Sequence, residues 1–418
     1  MSTLQPHRQA PAQAALPARP LRSVRTRRLR RRLRRRMSVQ LLDYANDVTT
    51  SGSPVSAAER IRTGGGTARA TEPPLVIRES SSVESQRWDA FVQSHPQGTI
   101  FHTQAFRQAV ASTFPHRARY LTAERGGRIV GVLPMFDVRT GWAGRRLVSV
   151  PYGVGGGALA EDEPTANALA DAAVALAAEL CCAVIDLRGG ASRLRGFERV
   201  DGYLGFRREL PANPSDIATW IPRKARAEVR HARERHGVTI DEGDEHLNLA
   251  WRLYSENMRR LASLNYPRRF FAALLEATRD QHRITLARRR GVPVAALVSF
   301  THRDAVMPYF FGATREARSC GAAHLLYAEL AEWATERGLR TFDFGRSRAG
   351  NTGSADFKRF FGFEATVLPY QRWTAPSMNV ADPSPASPKV RFARRFWPRL
   401  PLCVTRPLGA WLSRWVTG

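Results

Sequence analysis

The sequence is poor in cysteine. Four occur among 418 residues, Cys181, Cys182, Cys320 and Cys403, and two of them are adjacent. That excludes a disulfide framework and suits a reducing compartment. No Cys/His cluster has zinc-binding spacing and no HExxH occurs, so the common zinc sites are excluded and no metal is expected. No apolar run reaches the ~18 residues that a bilayer span requires. The arginines near the start are followed by no apolar core, so no signal peptide is expected either. Acid is missing from both ends. Residues 1–36 carry twelve arginines and no Asp or Glu, and residues 389–418 carry seven basic residues and no acid. Of the formal net charge of +27, only +8 is left for the body between them. The basicity is thus a property of two tails, which weakens a nucleic-acid-binding reading of the fold itself, and no DNA partner is expected.

A chain of this length exceeds one average core, so two domains are expected. Residues 1–73 are rich in Arg, Ala, Pro, Ser and Gly without hydrophobic period and are expected to be a disordered arm. Either "RTRRLRRRLRRRM" is a polyanion- or lipid-binding arm, or Met37 is the true start. From residue 75 onward, apolar residues three and four apart mark helices at 82–95, 103–114 and 163–180. Strands are expected at 75–80, 118–125, 128–139, 145–153, 182–190 and 203–210. A second series follows, with helices at 221–237, 247–262, 268–279 and 322–338. Its strands fall at 283–290, 292–302, 305–314 and 340–347.

The two series share a spacing. Pro151-Tyr152 and Pro308-Tyr309 close or occupy strands, and Asp186 and Asp343 follow their tyrosines by the same 34 residues. Strand, glycine-containing loop, helix and acid-bearing strand therefore occur twice, which suggests a tandem duplication. The expected architecture is α/β, with domains at 74–211 and 212–375 and a basic amphipathic tail at 376–418.

Two loops can carry chemistry. In "RSCGAA", Arg318, Gly321 and Ala323 form Arg-x-x-Gly-x-Ala between a strand and a helix. Glycine lets backbone approach a phosphate, and a helix N-terminus presents free N–H groups to it. The pattern resembles the pyrophosphate-binding loop of GNAT acyltransferases; a simple helix-capping turn is the other reading. The second loop is "FDFGRSRAGNTGSADFKRFFGFE", residues 342–364. It ends a strand with Asp343, Arg346, Ser347 and Arg348, bends at Gly350 and Gly353, and returns Lys358 on a short helix. Ligands gather beyond the carboxyl ends of strands in α/β sheets, and such a cluster suits a diphosphate, a carboxylate or the acceptor end of a tRNA. Phe357, Phe360, Phe361 and Phe363 read as packing residues.

The whole stretch 309–370, with "IPRKARAEVRHARERHG", "NYPRRFFAALLE" and "WPRLPLCVTRPLGAWLSR", resembles FemAB-like proteins. It is most similar to the branch associated with exosortase/PEP-CTERM loci and exopolysaccharide production. The resemblance covers about residues 75–418. Arg348 stands where that family's pattern has lysine, Asn351 is additional, and Phe361 replaces a tryptophan; a long coiled-coil arm is absent. It implies two tandem GNAT-like domains and a transferase. The acyl or aminoacyl group would pass from acyl-CoA or aminoacyl-tRNA to an amine or hydroxyl of an envelope glycan or its precursor. No cofactor would be permanently bound. The location implied is the cytoplasm, with possible contact at the inner membrane.

Acyl transfer needs a deprotonated acceptor, donors for the oxyanion and alignment of both reactants. Asp343 is either a base or orienter, or a structural carboxylate. Tyr309 either protonates a leaving group or is a half-buried strand residue, and Lys358 or Arg346 would face the oxyanion. His324 faces cleft or core. Tyr152 would line the first copy's loop. On the helix at 221–236, Arg223 and Arg226 belong to a positive outer surface, either a solvated face or a track for a polyanionic donor. The tail mixes Arg with Phe396, Trp397, Trp411 and Trp415, and either lies in an anionic bilayer interface or packs back on the first domain. A non-catalytic binding or scaffold protein of an exopolysaccharide assembly system is the alternative function.

Overall fold

The computed structural model describes residues 72–80, 84–140, 144–190, 193–376 and 388–416, with the side chains of 388–391 excepted. The arginine-rich arm and the alternative start at Met37 lie outside the described residues. The strands are β1 (Leu75–Glu79), β2 (Arg117–Ala118), β3 (Leu121–Arg125), β4 (Arg128–Leu133), β5 (Phe136–Arg139), β6 (Arg145–Val148), β7 (Leu159–Ala160), β8 (Val184–Arg188) and β9 (Glu198–Val200). They continue as β10 (Tyr203–Glu209), β11 (Val238–Glu242), β12 (His282–Arg289), β13 (Val292–His302), β14 (Ala305–Ala313), β15 (Thr341–Arg348), β16 (Ala365–Val367) and β17 (Tyr370–Thr374). The principal helices are α1 (Ser85–Ser94), α2 (Gln104–Thr113), α3 (Glu163–Glu179), α4 (Arg223–Arg230), α5 (Leu247–Arg260) and α6 (Arg268–Thr278). They are followed by α7 (Ala322–Glu336), α8 (Thr352–Phe360), α9 (Pro388–Phe396) and α10 (Leu402–Leu412). The fold is mixed α/β.

The strand expected over 128–139 is two strands. Pro134, which has no N–H to give a ladder, separates β4 from β5, and the chain passes there from one sheet to another. The first sheet runs β1-β3-β4-β7 and the second β2-β5-β6-β8-β17-β9. The third runs β11-β12-β13-β14-β15-β10-β16. In each half one parallel pair, β6/β8 or β14/β15, is joined through a helix, α3 or α7. Beyond each pair stands an antiparallel strand from the other half. β10, drawn from the chain before residue 211, pairs with β15, and β17 pairs with β8. The halves thus exchange strands across the expected 211/212 boundary. Sequence periodicity cannot see this, because pairing partners are set by tertiary context.

Local chemistry explains the helices that matter here. Asp162 caps α3 by accepting from the Thr165 amide at 2.7 Å, with Pro164 in the first turn. Gly321 caps α7 in the left-handed region at φ 68°, where glycine pays no Cβ penalty. Three cores form. One joins the halves, packing Trp88, Phe101 and Phe106 with Phe270, Phe271 and Phe310. The second lies under α7, with Leu326, Leu330, Phe342, Phe344 and Phe361. The third lies under α3, with Leu133, Leu169, Ala173 and Ile185.

Candidate functional site

The pair β14/β15 is hydrogen-bonded only at its start, Ala305 opposite Thr341 and Val306 opposite Phe342. Past these residues the two strands part and leave a wedge. Two irregularities shape its walls. On β14, Val298 and Ser299 face Phe310 and Pro308, so Tyr309 is an extra residue, a bulge. On β15, Arg207 faces Asp343 while Gly205 faces Arg346, so Phe344 and Gly345 together oppose Phe206. Gly345 makes this possible at φ 66°. The consequence is geometric. Three residues apart, Asp343 and Arg346 should point to opposite faces of a regular strand; the bulge puts them on the same one. The bend thus falls at Gly345 rather than at the expected Gly350 and Gly353. Those two have no positive φ and space for a Cβ.

On that face the Arg346 guanidinium sits 5.1 Å from the Tyr203 ring and 3.4 Å from the Tyr370 hydroxyl. Arg348 lies over the same Tyr203 ring at 5.8 Å. The Tyr370 hydroxyl donates to the Val154 carbonyl, and the Tyr309 hydroxyl donates to the Tyr152 carbonyl at 2.9 Å. The two tyrosines that the repeat makes equivalent therefore meet. Burial pushes the Tyr309 phenol well above its usual pKa, so it stays protonated. Tyr152 adopts φ 71° without being glycine, an uncommon conformation for a bulky residue. Its hydroxyl donates to the Ser413 carbonyl at 3.2 Å and receives His116 Nε2 at 2.7 Å. Burial lowers the His116 pKa to about 4, keeping the ring neutral.

Asp343 accepts from the Gly345 amide at 2.8 Å. Burial raises its pKa against that bond and against Arg207 and Lys358. Lys358 does not open into the cleft. Its Nζ donates to the Gly345 and Arg346 carbonyls at 3.3 and 3.0 Å and lies 4.8 Å from the Phe206 ring. Only 7% of the residue is exposed, and burial lowers its pKa to about 8. It clamps the bulge from behind. Ser347 likewise turns toward α8, bonding Ser354 at 2.9 Å. His324 is a core residue, 5.8 Å from the Phe361 ring and stacked on it. Its pKa is lowered by burial. Phe357 and Phe361 pack on Tyr327, and Phe344 and Phe363 on one another.

At the wide end of the wedge lies the loop before α7. Arg318 is exposed there. Arg260, on α5, donates to the Thr314 carbonyl at 3.1 Å. Its pKa is lowered by burial first, with Arg315 and Arg318 adding to the effect. Three guanidiniums therefore converge beside a helix start. Gly321 is required by packing too: a Cβ would lie 3.1 Å from the Glu228 carbonyl and 3.2 Å from Ala232. Ala323 follows it in the first turn of α7. Of the basic helix, Arg223 and Arg226 are exposed, and Arg226 reaches back to the Ala218 carbonyl.

Sequence reasoning missed Arg188, Tyr203, Tyr266 and Tyr370. Arg188 is buried, donates to the Val150 and Gly153 carbonyls at 2.9 and 3.0 Å, and feels the charge of Arg346. A signal existed: "DLRGG" at 186–190 matches "DFGRS" at 343–347, acid, then arginine, then loop. Tyr266 adds another protonated phenol within the electrostatic reach of both arginines. No group of His, Cys, Asp and Glu among the described residues could hold a metal.

Residues 222–359, which hold the whole β14/β15 wedge, match the family model for the acetyltransferase (GNAT) domain. No curated protein matches the chain. Among solved structures, FemX shares 15% identity at a TM-score of 0.57, over 72% of this chain and 97% of that one. A conserved protein of unknown function from Bacteroides thetaiotaomicron VPI-5482 shares 12% identity at a TM-score of 0.49, over 72% and 99%. A tandem GNAT protein from the clavulanic acid biosynthesis pathway shares 15% at a TM-score of 0.46, over 73% and 100%. Residues 222–359 are therefore similar to the GNAT acetyltransferase domain, in a chain whose fold is similar to that of FemX.

Proposed function

We propose that the chain transfers an acyl or aminoacyl group to an amine or hydroxyl of an envelope glycan, exopolysaccharide or peptidoglycan-type precursor. The observation that carries this reading is the wedge between β14 and β15. It has a cationic loop at its wide end and a bulged wall that carries Tyr309, Asp343 and Arg346. An extended donor laid in the wedge would lie along strand edges that β14 and β15 do not pair with each other beyond Val306 and Phe342. Its phosphate end would face Arg260, Arg315 and Arg318. The acyl carbonyl would then lie near the Tyr309 bulge. The Tyr309 phenol, already protonated, can give its proton to the departing thiolate or alkoxide. Asp343, with its raised pKa, is placed to orient or deprotonate the acceptor, and Arg346 to hold an anionic group on it.

Acyl-CoA and aminoacyl-tRNA both fit this scheme, and one experiment separates them. Calorimetry on the full chain with acetyl-CoA, beside Arg318→Ala and Arg346→Ala, should show micromolar binding that Arg318→Ala weakens at least tenfold. Arg346→Ala should leave donor binding within twofold while removing transfer. If charged tRNA binds instead, and R318A weakens that, the donor is aminoacyl-tRNA. Absence of both kinds of binding would remove the transferase reading.

A further inference from the structure

The C-terminal helix α10 is packed the wrong way round for a soluble protein. Thr405, Gly409 and Ser413, four residues apart, form its buried stripe. Gly409 meets Asn265 so closely that a Cβ would lie 2.3 Å from the Asn265 Oδ1. Asn265 donates to the Arg406 carbonyl at 3.2 Å, and Arg406 lies 5.6 Å over the Trp251 ring of α5. The small and polar face is therefore the one that docks. The apolar residues point outward: Val404 is 42% exposed, Trp411 47% and Val416 52%. Trp415 rests edge-on against Trp411 at 4.2 Å. On the neighbouring α9, Phe392 and Phe396 are 67% and 44% exposed and in mutual contact. Arg394 and Arg395, beside them, are exposed too. Residues 388–416 hold seven basic residues and no acid. Helices that bury apolar surface against the protein are the rule; α10 inverts it, and α9 beside it leaves its described rings and cations exposed.

We propose that this face, α9 with α10, docks on an anionic phospholipid surface, with the rings and Val404 in the acyl boundary and the arginines at the headgroups. Aromatic residues mixed with Arg and without acid are the composition that such an interface selects. Residues 388–416 themselves supply no acid to pair with a basic protein partner, whereas their cations match anionic headgroups. Just past α10, the Ser413 carbonyl accepts from the Tyr152 hydroxyl, and the Tyr152 carbonyl in turn accepts from Tyr309 at the wedge. Docking would hold the candidate site at the membrane, where a lipid-linked acceptor lies. That last consequence rests on the transferase reading, but the docking itself does not.

The test is flotation of the full chain with phosphatidylcholine vesicles, with and without about 30 mol% phosphatidylglycerol, at about 150 mM salt, where charge-only attraction is partly screened. Binding should require the anionic lipid. It should fall at least tenfold in the double variant Val404→Ser with Trp411→Ser, and also in Arg394→Glu with Arg395→Glu. Because all four side chains are exposed, melting temperatures should stay within a few degrees, and donor binding by calorimetry should be unchanged. Binding that both double variants leave intact would mean that the arginines of residues 1–36 carry it, and would overturn the proposal. So would no binding at all, or a concentration-dependent self-association without vesicles that V404S/W411S abolishes.

Discussion

Lys358 offers a sharp test of how the bulge is held. An ammonium group buried against two carbonyls and two phenyl rings pays a desolvation cost that those partners only partly return. The lowering of its pKa from 10.5 to about 8 measures that deficit, about 3 kcal/mol at roughly 1.4 kcal/mol per pH unit. In the unfolded chain the lysine keeps its proton up to the higher value. Between about pH 8 and 10.5 the unfolded state therefore binds more protons than the folded one, and stability rises with pH. Below pH 8 both states are charged and the full cost is present; above 10.5 it is gone. Lys358→Met keeps the stem and removes the charge. Its lost hydrogen bonds add an offset that does not depend on pH. Urea unfolding of both proteins from pH 7 to 9.5 should show the wild type gaining about 2 kcal/mol on the variant, nearly all above pH 8. A difference that stays flat to within about 0.5 kcal/mol would mean that the lysine titrates as in water. It would then reach solvent in the cleft, and the clamp would be wrong.

Further outcomes follow from the same geometry. Gly345→Ala forces a side chain into φ 66° and should cost about 1–2 kcal/mol in urea unfolding. Its larger effect should be on transfer, because Asp343 and Arg346 no longer share a face. Tyr309→Phe leaves the Tyr152 carbonyl without its donor and should cost about 1–3 kcal/mol, with transfer down about a hundredfold and donor affinity unchanged. Phe271→Ala opens the core shared by both halves, where Phe271 stacks on Phe310 at 3.8 Å. It should lower stability by about 3–5 kcal/mol, read by the same unfolding assay.

Much of this was legible from residue order. The helix 163–180 announced itself through Asp162, Pro164 and its alanines, and the structure places it at Glu163–Glu179. The strand 292–302 is found as read. What failed was context. Pro134 was inside an apolar run, and only the packing of two sheets shows that the chain changes sheet there. The strand read at 203–210 looks like the close of its own half but pairs with β15, and β17, which was not read from the sequence, pairs with β8. For the candidate site, charge and glycine content pointed to a loop that borders the wedge, but its bend falls at a different glycine. Whether Gly345 or Gly350 carries the positive φ depends on which strand opposes it, and β10 arrives from the other half. Arg188 and Tyr370 were missed for the same reason: the first comes from one half and the second from the exchanged strand. A site assembled across an exchange has no contiguous signature.

The repeated spacing pairs two acids whose surroundings differ. Asp186 on β8 and Asp343 on β15 occupy equivalent places, one residue past the last or penultimate pair of a parallel ladder. Yet Asp186 is bound by Arg146 at 3.1 Å and by Arg372, from the exchanged β17, at 2.6 Å. Both guanidiniums hold that carboxylate in fixed ion pairs between strands, a structural role. Asp343 is opposed by Arg207, yet it accepts its hydrogen bond from the Gly345 amide, and burial raises its pKa. The divergence extends to the tyrosines. Tyr152 has its hydroxyl on the Ser413 carbonyl, away from the wedge, while the Tyr309 hydroxyl lies at the wedge, held there by the Tyr152 carbonyl. The first copy thus supplies fixed partners, and the second holds the groups that can exchange a proton. If that division is right, Asp186→Asn should act on stability and leave the pH profile of transfer alone. Asp343→Asn should shift or abolish the acidic limb of that profile in a protein that unfolds as the wild type does. An acidic limb that moves with Asp186 instead would reverse the assignment of the two copies.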